Sequence, residues 1–121
     1  MSVEPLSLKR AYDPPADVDG VRVLIDRLWP RGLDKQHAAI DEWLKDVAPS
    51  PALRKWFNHD PIRWQEFRRR YLAELAGNEA LERLRRLSHE HHVTLVYAAR
   101  DTEHNHALVL RDLLEGAASE S

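Results

Sequence analysis

Two apolar runs of the sequence end in charged side chains that could carry acid–base chemistry. Asp26 and Arg27 follow the first run, and Arg100 and Asp101 follow the second. Ligands of open α/β sheets bind beyond the carboxyl ends of the strands. If the two runs are neighbouring parallel strands, these four side chains meet at one rim of the sheet, and this rim is where we expect a functional site.

A helix predicted after the second run begins with two histidines, His104 and His106, on either side of Asn105. Histidine is the side chain whose pKa best suits acid–base catalysis at neutral pH. Two positions apart on a helix, the two rings point in different directions and cannot share one metal ion as histidines four apart do. We expect no metal site, although His104 together with His59 is an alternative that the sequence leaves open.

The same rim carries positive charge and is expected to bind an anion. A helix start offers free backbone N–H groups, and arginine suits bidentate contacts to carboxylate and phosphate. We therefore expect a small anionic ligand, phosphate- or nucleotide-like. The predicted ligand-binding residues are Tyr12, Arg27, Trp29, Arg31, Arg100 and Asn105, and the predicted catalytic residues are Asp26, Asp101 and His106.

Simpler structural interpretations exist for several of these residues. Asp26 and Arg100 could form a structural ion pair, and Asp101 could do no more than cap the last helix. A tryptophan such as Trp29 is more often part of a core than of a binding site. The sequence is compatible with a binding site alone and with one that also performs acid–base catalysis, so whether the protein is an enzyme stays open.

Length and composition exclude several classes of protein. The chain has 121 residues and is expected to form an α/β domain over residues 1–115, with a disordered tail over residues 116–121. Without cysteine there is no disulfide, thiolate zinc site or cysteine nucleophile. The four glycines form neither a phosphate loop nor a dinucleotide fingerprint, so no cofactor is expected. No apolar run approaches the ~18–20 residues of a membrane span, and the first residues are unlike a signal peptide, so we expect a cytoplasmic location.

Hydrophobic patterning predicts the strands that position the rim. Residues 6–10 alternate, residues 21–26 are rich in β-branched residues, and residues 93–99 have the composition of a buried central strand. Fewer than a dozen residues separate the first two strands, which favours an antiparallel pair. The expected fold is α/β, a small mixed, mostly parallel sheet of three or four strands flanked by about five helices. Because three strands make a thin sheet, we expect either a fourth short strand or a homodimer.

Helices are predicted for the segment between the second and the last strand, and after the last strand. Ile40, Trp43, Leu44 and Val47 have the i, i+3, i+4, i+7 spacing of an amphipathic helix. Further helices are predicted after Ser50-Pro51, after Asp60-Pro61, around Leu81, Leu84 and Leu87, and from about Glu103 to Glu115 with Asp101 or Thr102 as cap.

Two other functions are compatible with parts of the sequence. Four tryptophans around a helical block that prolines interrupt could form a protein-interaction surface. Arginines of the predicted helices could contact nucleic acid, and these are Arg63, Arg83, Arg85, Arg86 and residues 68–70. Glutamates interrupt these segments and the net charge is −2, which makes nucleic-acid binding the less favoured alternative.

Several segments together resemble a known bacterial family. They are KRAYD at residues 9–13, DGVRVLIDRLWPRG at 19–32, WLKDVAPS at 43–50, LRKWF at 53–57, HDP at 59–61, FRRRY at 67–71, VTLVYAARD at 93–101 and NHA at 105–107. These motifs span nearly the whole chain, and agreement at so many of them is specific. The sequence is similar to the YeaO-like family, a bacterial domain of unknown function numbered 488.

The resemblance implies an α/β fold and supplies no established activity. Other branches of the family have a Cys-His-Arg run where this chain has Asn105, His106 and Ala107, and they tend to carry an acidic residue near Arg100 and Asp101. Because the cysteine and the arginine are absent here, the resemblance implies no thiol mechanism for this chain. What it leaves is His106 and the charged rim.

Overall fold

A four-stranded sheet forms the centre of the computed structural model, which describes residues 6–116. The strands are β1 (Ser7–Arg10), β2 (Val21–Leu24), β3 (Glu42–Trp43) and β4 (Val93–Tyr97). They lie in the order β1-β4-β2-β3, and the pairings among these strands are all parallel. The expected α/β class is confirmed, and β3 supplies the fourth short strand. Of the tail predicted over residues 116–121, residues 117–121 lie outside the described residues.

The prediction that the first two strands form an antiparallel pair is wrong, because β4 lies between them. Ser7 of β1 and Val21 of β2 each pair in parallel with β4. The connection between them, residues 11–20, includes a 3-10 turn at Asp17–Asp19 and runs back along β4, where Thr94 donates a hydrogen bond to Asp19 O at 2.7 Å. Ten residues can span ~33 Å, about twice the length of β4, so this crossover needs no helix.

The two faces of the sheet pack against different cores, and this alternation explains the buried central strand. Val93, Leu95 and Tyr97 of β4 join the larger core, which the helices cover, whereas Val96 joins a smaller core with Ala11. All five residues of β4 are buried. A strand covered on both faces has no polar alternation, which is the pattern that the sequence shows.

The amphipathic helix predicted from Ile40, Trp43, Leu44 and Val47 is wrong. This segment instead contains β3 and a 3-10 turn, Lys45–Val47. Ile40 and Trp43 pack against the smaller core, while Leu44 and Val47 pack against the larger one. The helical spacing is therefore a coincidence of residues that face opposite sides of the sheet, and pairing with the edge of β2 determines the local structure.

The described helices are α1 (Lys35–Ala38), α2 (Pro51–Phe57), α3 (Trp64–Leu75), α4 (Glu79–Glu90) and α5 (His106–Arg111). The Ser50 side chain caps α2 by accepting from Leu53 N at 3.1 Å, with Pro51 at the first helical position, as expected. The last helix begins later than predicted, because Asn105, rather than Asp101 or Thr102, is its cap. None of these helices combines the length and the apolar character needed to cross a membrane.

A buried ion pair connects β2 to the crossover that precedes it. Arg22 is 3% exposed, and its Nη1 lies 2.6 Å from Asp19 Oδ2. Lys9 Nζ lies 3.1 Å from the other oxygen of the same carboxylate. Burial alone would raise the pKa of Asp19, but hydrogen bonds from Ala16 N–H, Lys9 and Arg22 outweigh it and lower the pKa. Asp19 is therefore ionised at neutral pH.

Candidate functional site

A cleft of about 650 Å³ opens beyond the carboxyl ends of β2 and β4. Its walls come from five parts of the chain: residues 26–31 after β2, residues 48–49 with α2 and the turn after it, Phe67 of α3, residues 98–99 after β4, and residues 104–106 at the start of α5. Because β2 and β4 are parallel neighbours, both strand ends open at this edge. The rim expected from the sequence is thus a real concave surface.

Asp26 and His106 form the inner end of this cleft. Asp26 Oδ2 accepts a hydrogen bond from Ala98 N at 3.0 Å, which connects the ends of β2 and β4. Asp26 Oδ1 lies 3.2 Å from His106 Nε2 and has no hydrogen-bond partner among the described residues. The two side chains are only 18% and 13% exposed. Two residues that are eighty positions apart in sequence are therefore brought into contact by the fold.

The protonation pattern of His106 follows from its neighbours. Nε2 lies 3.0 Å from Ile25 O, and a carbonyl oxygen can only accept, so Nε2 carries a proton and donates it. The ring also meets the ring of Tyr71 edge-on, with centroids 6.2 Å apart. Burial raises the pKa of Tyr71 well above its usual value, so its hydroxyl stays protonated and donates to Val47 O at 2.6 Å. Both rings are thus fixed by backbone carbonyls.

His104 is held by Asp101 at the other side of the α5 start. Its Nδ1 lies 3.0 Å from Asp101 Oδ2, while Asp101 Oδ1 accepts from the backbone N–H groups of Glu103 and His104. The hydrogen bond from Glu103 N–H, helped by His104, lowers the pKa of Asp101. Asp101, a predicted catalytic residue, does not itself line the cleft, whereas His104 and Asn105, which it contacts, both do.

Asn105 stabilises the start of α5 from a nearly buried position. It is 3% exposed, its Oδ1 accepts from Leu108 N at 3.2 Å, and its Nδ2 donates to Asp101 O at 2.8 Å. The predicted free N–H groups at this helix start are therefore partly occupied by Asn105 itself. At the position where the resemblance implies a cysteine in other branches, this chain has Asn105 as a structural cap.

Three exposed cations line the cleft: Arg31, Arg54 and Lys55, which we call the cleft cations. Within residues 6–116, no carboxylate forms an ion pair with any of them. Arg27 lines the cleft as well, but it donates to Ala48 O at 3.2 Å and lies 3.9 Å from Asp46. Asp26 is the single carboxylate among the described lining residues, so the cleft has a clear excess of positive charge.

Helix α2 and the turn after it also contribute to the cleft, which the sequence did not predict apart from His59. Pro51, Arg54 and Lys55 lie on one face of α2 and line the cleft, and Asn58 and His59 line it from the turn that follows. The backbone of this turn is unusual, because Asn58 and His59 have φ values of 46° and 55°. Two successive non-glycine residues in the left-handed region are uncommon, and they place His59 at the cleft. The i, i+4 spacing of Lys55 and His59 was visible in the sequence.

Of the other predicted ligand-binding residues, some line the cleft and some do not. Trp29 and Arg31 line the cleft, but Tyr12 and Arg100 do not. Tyr12 is 45% exposed and donates to Arg31 O at 2.9 Å, so it contacts the loop that carries Arg31. Arg100 is exposed. The described residues contain no ion pair between Arg100 and Asp26, and Asp26 lies beside His106 instead. Residues 6–116 contain no group of three or more His, Asp or Glu side chains that could hold a metal ion.

The comparisons with known proteins confirm the resemblance that the motifs predict. Residues 5–121 match the family described as the inactive DUF488-N3 subclade, and the chain belongs to this family. It is 47% identical over 110 residues to the uncharacterised protein YeaO of Escherichia coli strain K12, covering 90% of this chain and 96% of that protein. It is 46% identical over 107 residues to the uncharacterised protein Rv3073c of Mycobacterium tuberculosis strain H37Rv, covering 88% and 91%. No solved structure gives a significant match.

Proposed function

We propose that this protein binds a small anionic ligand in the cleft beyond β2 and β4. The observation that carries the proposal is the set of cleft cations, which line a concave surface without carboxylate partners in the described part of the chain. Side chains of like charge repel one another, so such a group is unfavourable in the empty protein. A bound anion would supply the missing negative charge and relieve this repulsion.

The inner end of the cleft supports binding more directly than catalysis. Asp26 and His106 are both engaged with the backbone, at Ala98 N–H and at the carbonyl of Ile25. These contacts hold together the ends of β2 and β4 and the start of α5, so the pair positions the cleft walls. The family is described as an inactive subclade, and the chain has no cysteine. We therefore propose a ligand-binding protein rather than an enzyme. A cytoplasmic location, which we expect from the sequence, is part of the same proposal.

The two alternative functions find less support. The arginines of α3 and α4 that were candidates for nucleic-acid binding are mostly paired with carboxylates, for example Arg83 with Glu42 at 2.8 Å. The tryptophans form no open apolar patch, because each is half-buried and has a cation over its ring. These contacts are Lys35 on Trp29, Lys45 on Trp43, Arg63 and Arg70 on Trp56, and Arg68 on Trp64.

Calorimetric titration with pyrophosphate, a compact probe with two phosphoryl groups, tests the proposal. We expect saturable binding that sodium chloride weakens, and about a tenfold higher Kd for Arg54→Gln, since a charge-assisted hydrogen bond contributes ~1.5–3 kcal/mol. Arg86→Gln is the matched control, because Arg86 is also exposed and also has no ion-pair partner among the described residues, but it lies outside the cleft. Equal Kd values for the two variants, or no binding by the wild type, would contradict the proposal.

A further inference from the structure

The cleft is much larger than the anionic group that its cations would hold. Its volume of about 650 Å³ lies within the ~300–1,000 Å³ of sites that enclose whole organic molecules. A phosphate ion on the cleft cations would leave most of this space to water. The volume is therefore suited to a phosphate ester whose organic part occupies the remainder.

Part of the lining is apolar and aromatic, which indicates the nature of that organic part. Phe57 and Phe67 are stacked with ring centroids 4.3 Å apart and line the cleft as buried rings, 6% and 2% exposed, whereas Pro51 beside them is exposed. Leu28 also lines the cleft and is 68% exposed, so its side chain is accessible to a ligand. A sugar or a phosphate gains little from such a surface, whereas the flat face of a nucleobase packs favourably against it.

Two histidines of the lining offer hydrogen-bond acceptors. In the neutral rings, His106 has its proton on Nε2, which faces Ile25 O, and His104 has its proton on Nδ1, which faces Asp101. The other nitrogen of each ring has no hydrogen-bond partner among residues 6–116 and can accept from a ligand. Hydroxyl groups of a ribose are donors of the matching kind.

We propose that the ligand is a nucleoside monophosphate, an inference that rests on the proposed function because it requires the cleft cations to hold the phosphate. The base lies against the apolar wall to which Leu28 and Pro51 contribute exposed side chains, and the ribose hydroxyls donate to His104 and His106. All three parts of the ligand are accommodated by one cleft that opens beyond two parallel strand ends.

Calorimetric titration of the full chain with AMP, GMP, CMP and UMP tests the inference, with ribose 5-phosphate, the corresponding nucleosides and inorganic phosphate as partial ligands. We expect at least one nucleotide to bind ten times more tightly than ribose 5-phosphate and than its own nucleoside. If ribose 5-phosphate binds as tightly as every nucleotide, this inference is overturned while the proposed function stands. If no phosphate compound binds, or if the nucleosides bind as tightly as the nucleotides, both are overturned.

A pair of exposed apolar residues gives a matched control for the base-binding wall. Leu28→Ser should lower the affinity for the preferred nucleotide about fivefold and leave that for ribose 5-phosphate unchanged. Ile62→Ser should change neither, because Ile62 is 90% exposed but lies outside the cleft. Both substitutions are at exposed positions, so the variants are expected to fold. An equal loss for both ligands, or no loss for either, would show that the base does not contact this wall.

Discussion

Most arginines of α3 and α4 differ from the cleft cations in that the chain provides a carboxylate for them. On α3, Arg69 and Arg70 share Glu66 at 2.5 and 2.7 Å, and Arg68 lies 3.3 Å from Asp112. At the cleft, Arg54 and Lys55 are adjacent in sequence and have no such partner within the described residues. The fold itself neutralises the first group. The second group has no such partner, and it is this group, gathered in one cleft, that we propose binds the ligand.

The largest effect is expected where an arginine is paired and also buried. Asp19→Ala leaves Arg22 without its carboxylate at 4% side-chain exposure, and losing one partner of a buried ion pair costs ~3–5 kcal/mol. Urea unfolding measures this loss. Since the folded pKa of Asp19 is lowered, its contribution is fully present above the unfolded pKa of ~3.9 and is lost as the pH falls through the folded value. An Asp19→Asn variant that lost stability as steeply below pH ~4 as the wild type would contradict this.

A smaller loss of stability is expected for Asp26, which connects the strand ends at the cleft. Asp26→Ala leaves the N–H of Ala98 without its acceptor, and an unsatisfied buried donor costs ~1–3 kcal/mol. Asp26→Asn retains an acceptor oxygen and should recover much of that stability. The unfolding free energies of the two variants, measured in parallel, check the prediction. Equal losses would mean that the charge of Asp26, rather than its hydrogen bond, stabilises the strand ends.

Removing a carboxylate that pairs with arginines on the surface should cost less stability than the Asp19 or the Asp26 substitution. Hydrogen bonds from Arg69 and Arg70 lower the pKa of Glu66 to about 2, so this carboxylate stabilises the fold above its ordinary pKa of 4.5 and loses that effect as the pH falls through about 2. Glu66→Gln should therefore lower the Tm slightly at pH 7, and about 1 M sodium chloride should remove the difference. NMR titration of the Glu66 carboxyl gives its pKa directly, and a value near 4.5 would show that the pairing is absent in solution.

The smallest effect on stability is expected at the cleft. The double variant Arg54→Gln/Lys55→Gln removes two exposed cations that have no carboxylate partner in residues 6–116. Its unfolding free energy should stay within ~0.5 kcal/mol of the wild type, as for ordinary surface substitutions, while pyrophosphate binding is lost. Chemical denaturation and calorimetry on the same samples measure both quantities. A marked loss of stability would mean that these cations belong to the fold, and the contrast with α3 would fail.

Much of the architecture was predictable from the sequence because local signals determine it. Ser50 before Pro51, and the uninterrupted apolar run of β4, correctly predict a helix start and a buried strand. The prediction of a helix around Trp43 failed because hydrophobic spacing does not show which side of a sheet a residue faces. The prediction that the first two strands form an antiparallel pair failed because β4, far along the chain, lies between them.

The same distinction between local signals and packing applies to the candidate site. The sequence by itself determined that Asp26 and His106 are charged or titratable groups at element ends, and that no cysteine accompanies them. Only the tertiary structure decided that they lie 3.2 Å apart, that Asp101 contacts His104, and that α2 adds its cations to the same cleft. Element ends depend on neighbours a few residues away, whereas a cleft depends on which elements pack together, and that is decided by the burial of both faces of the sheet.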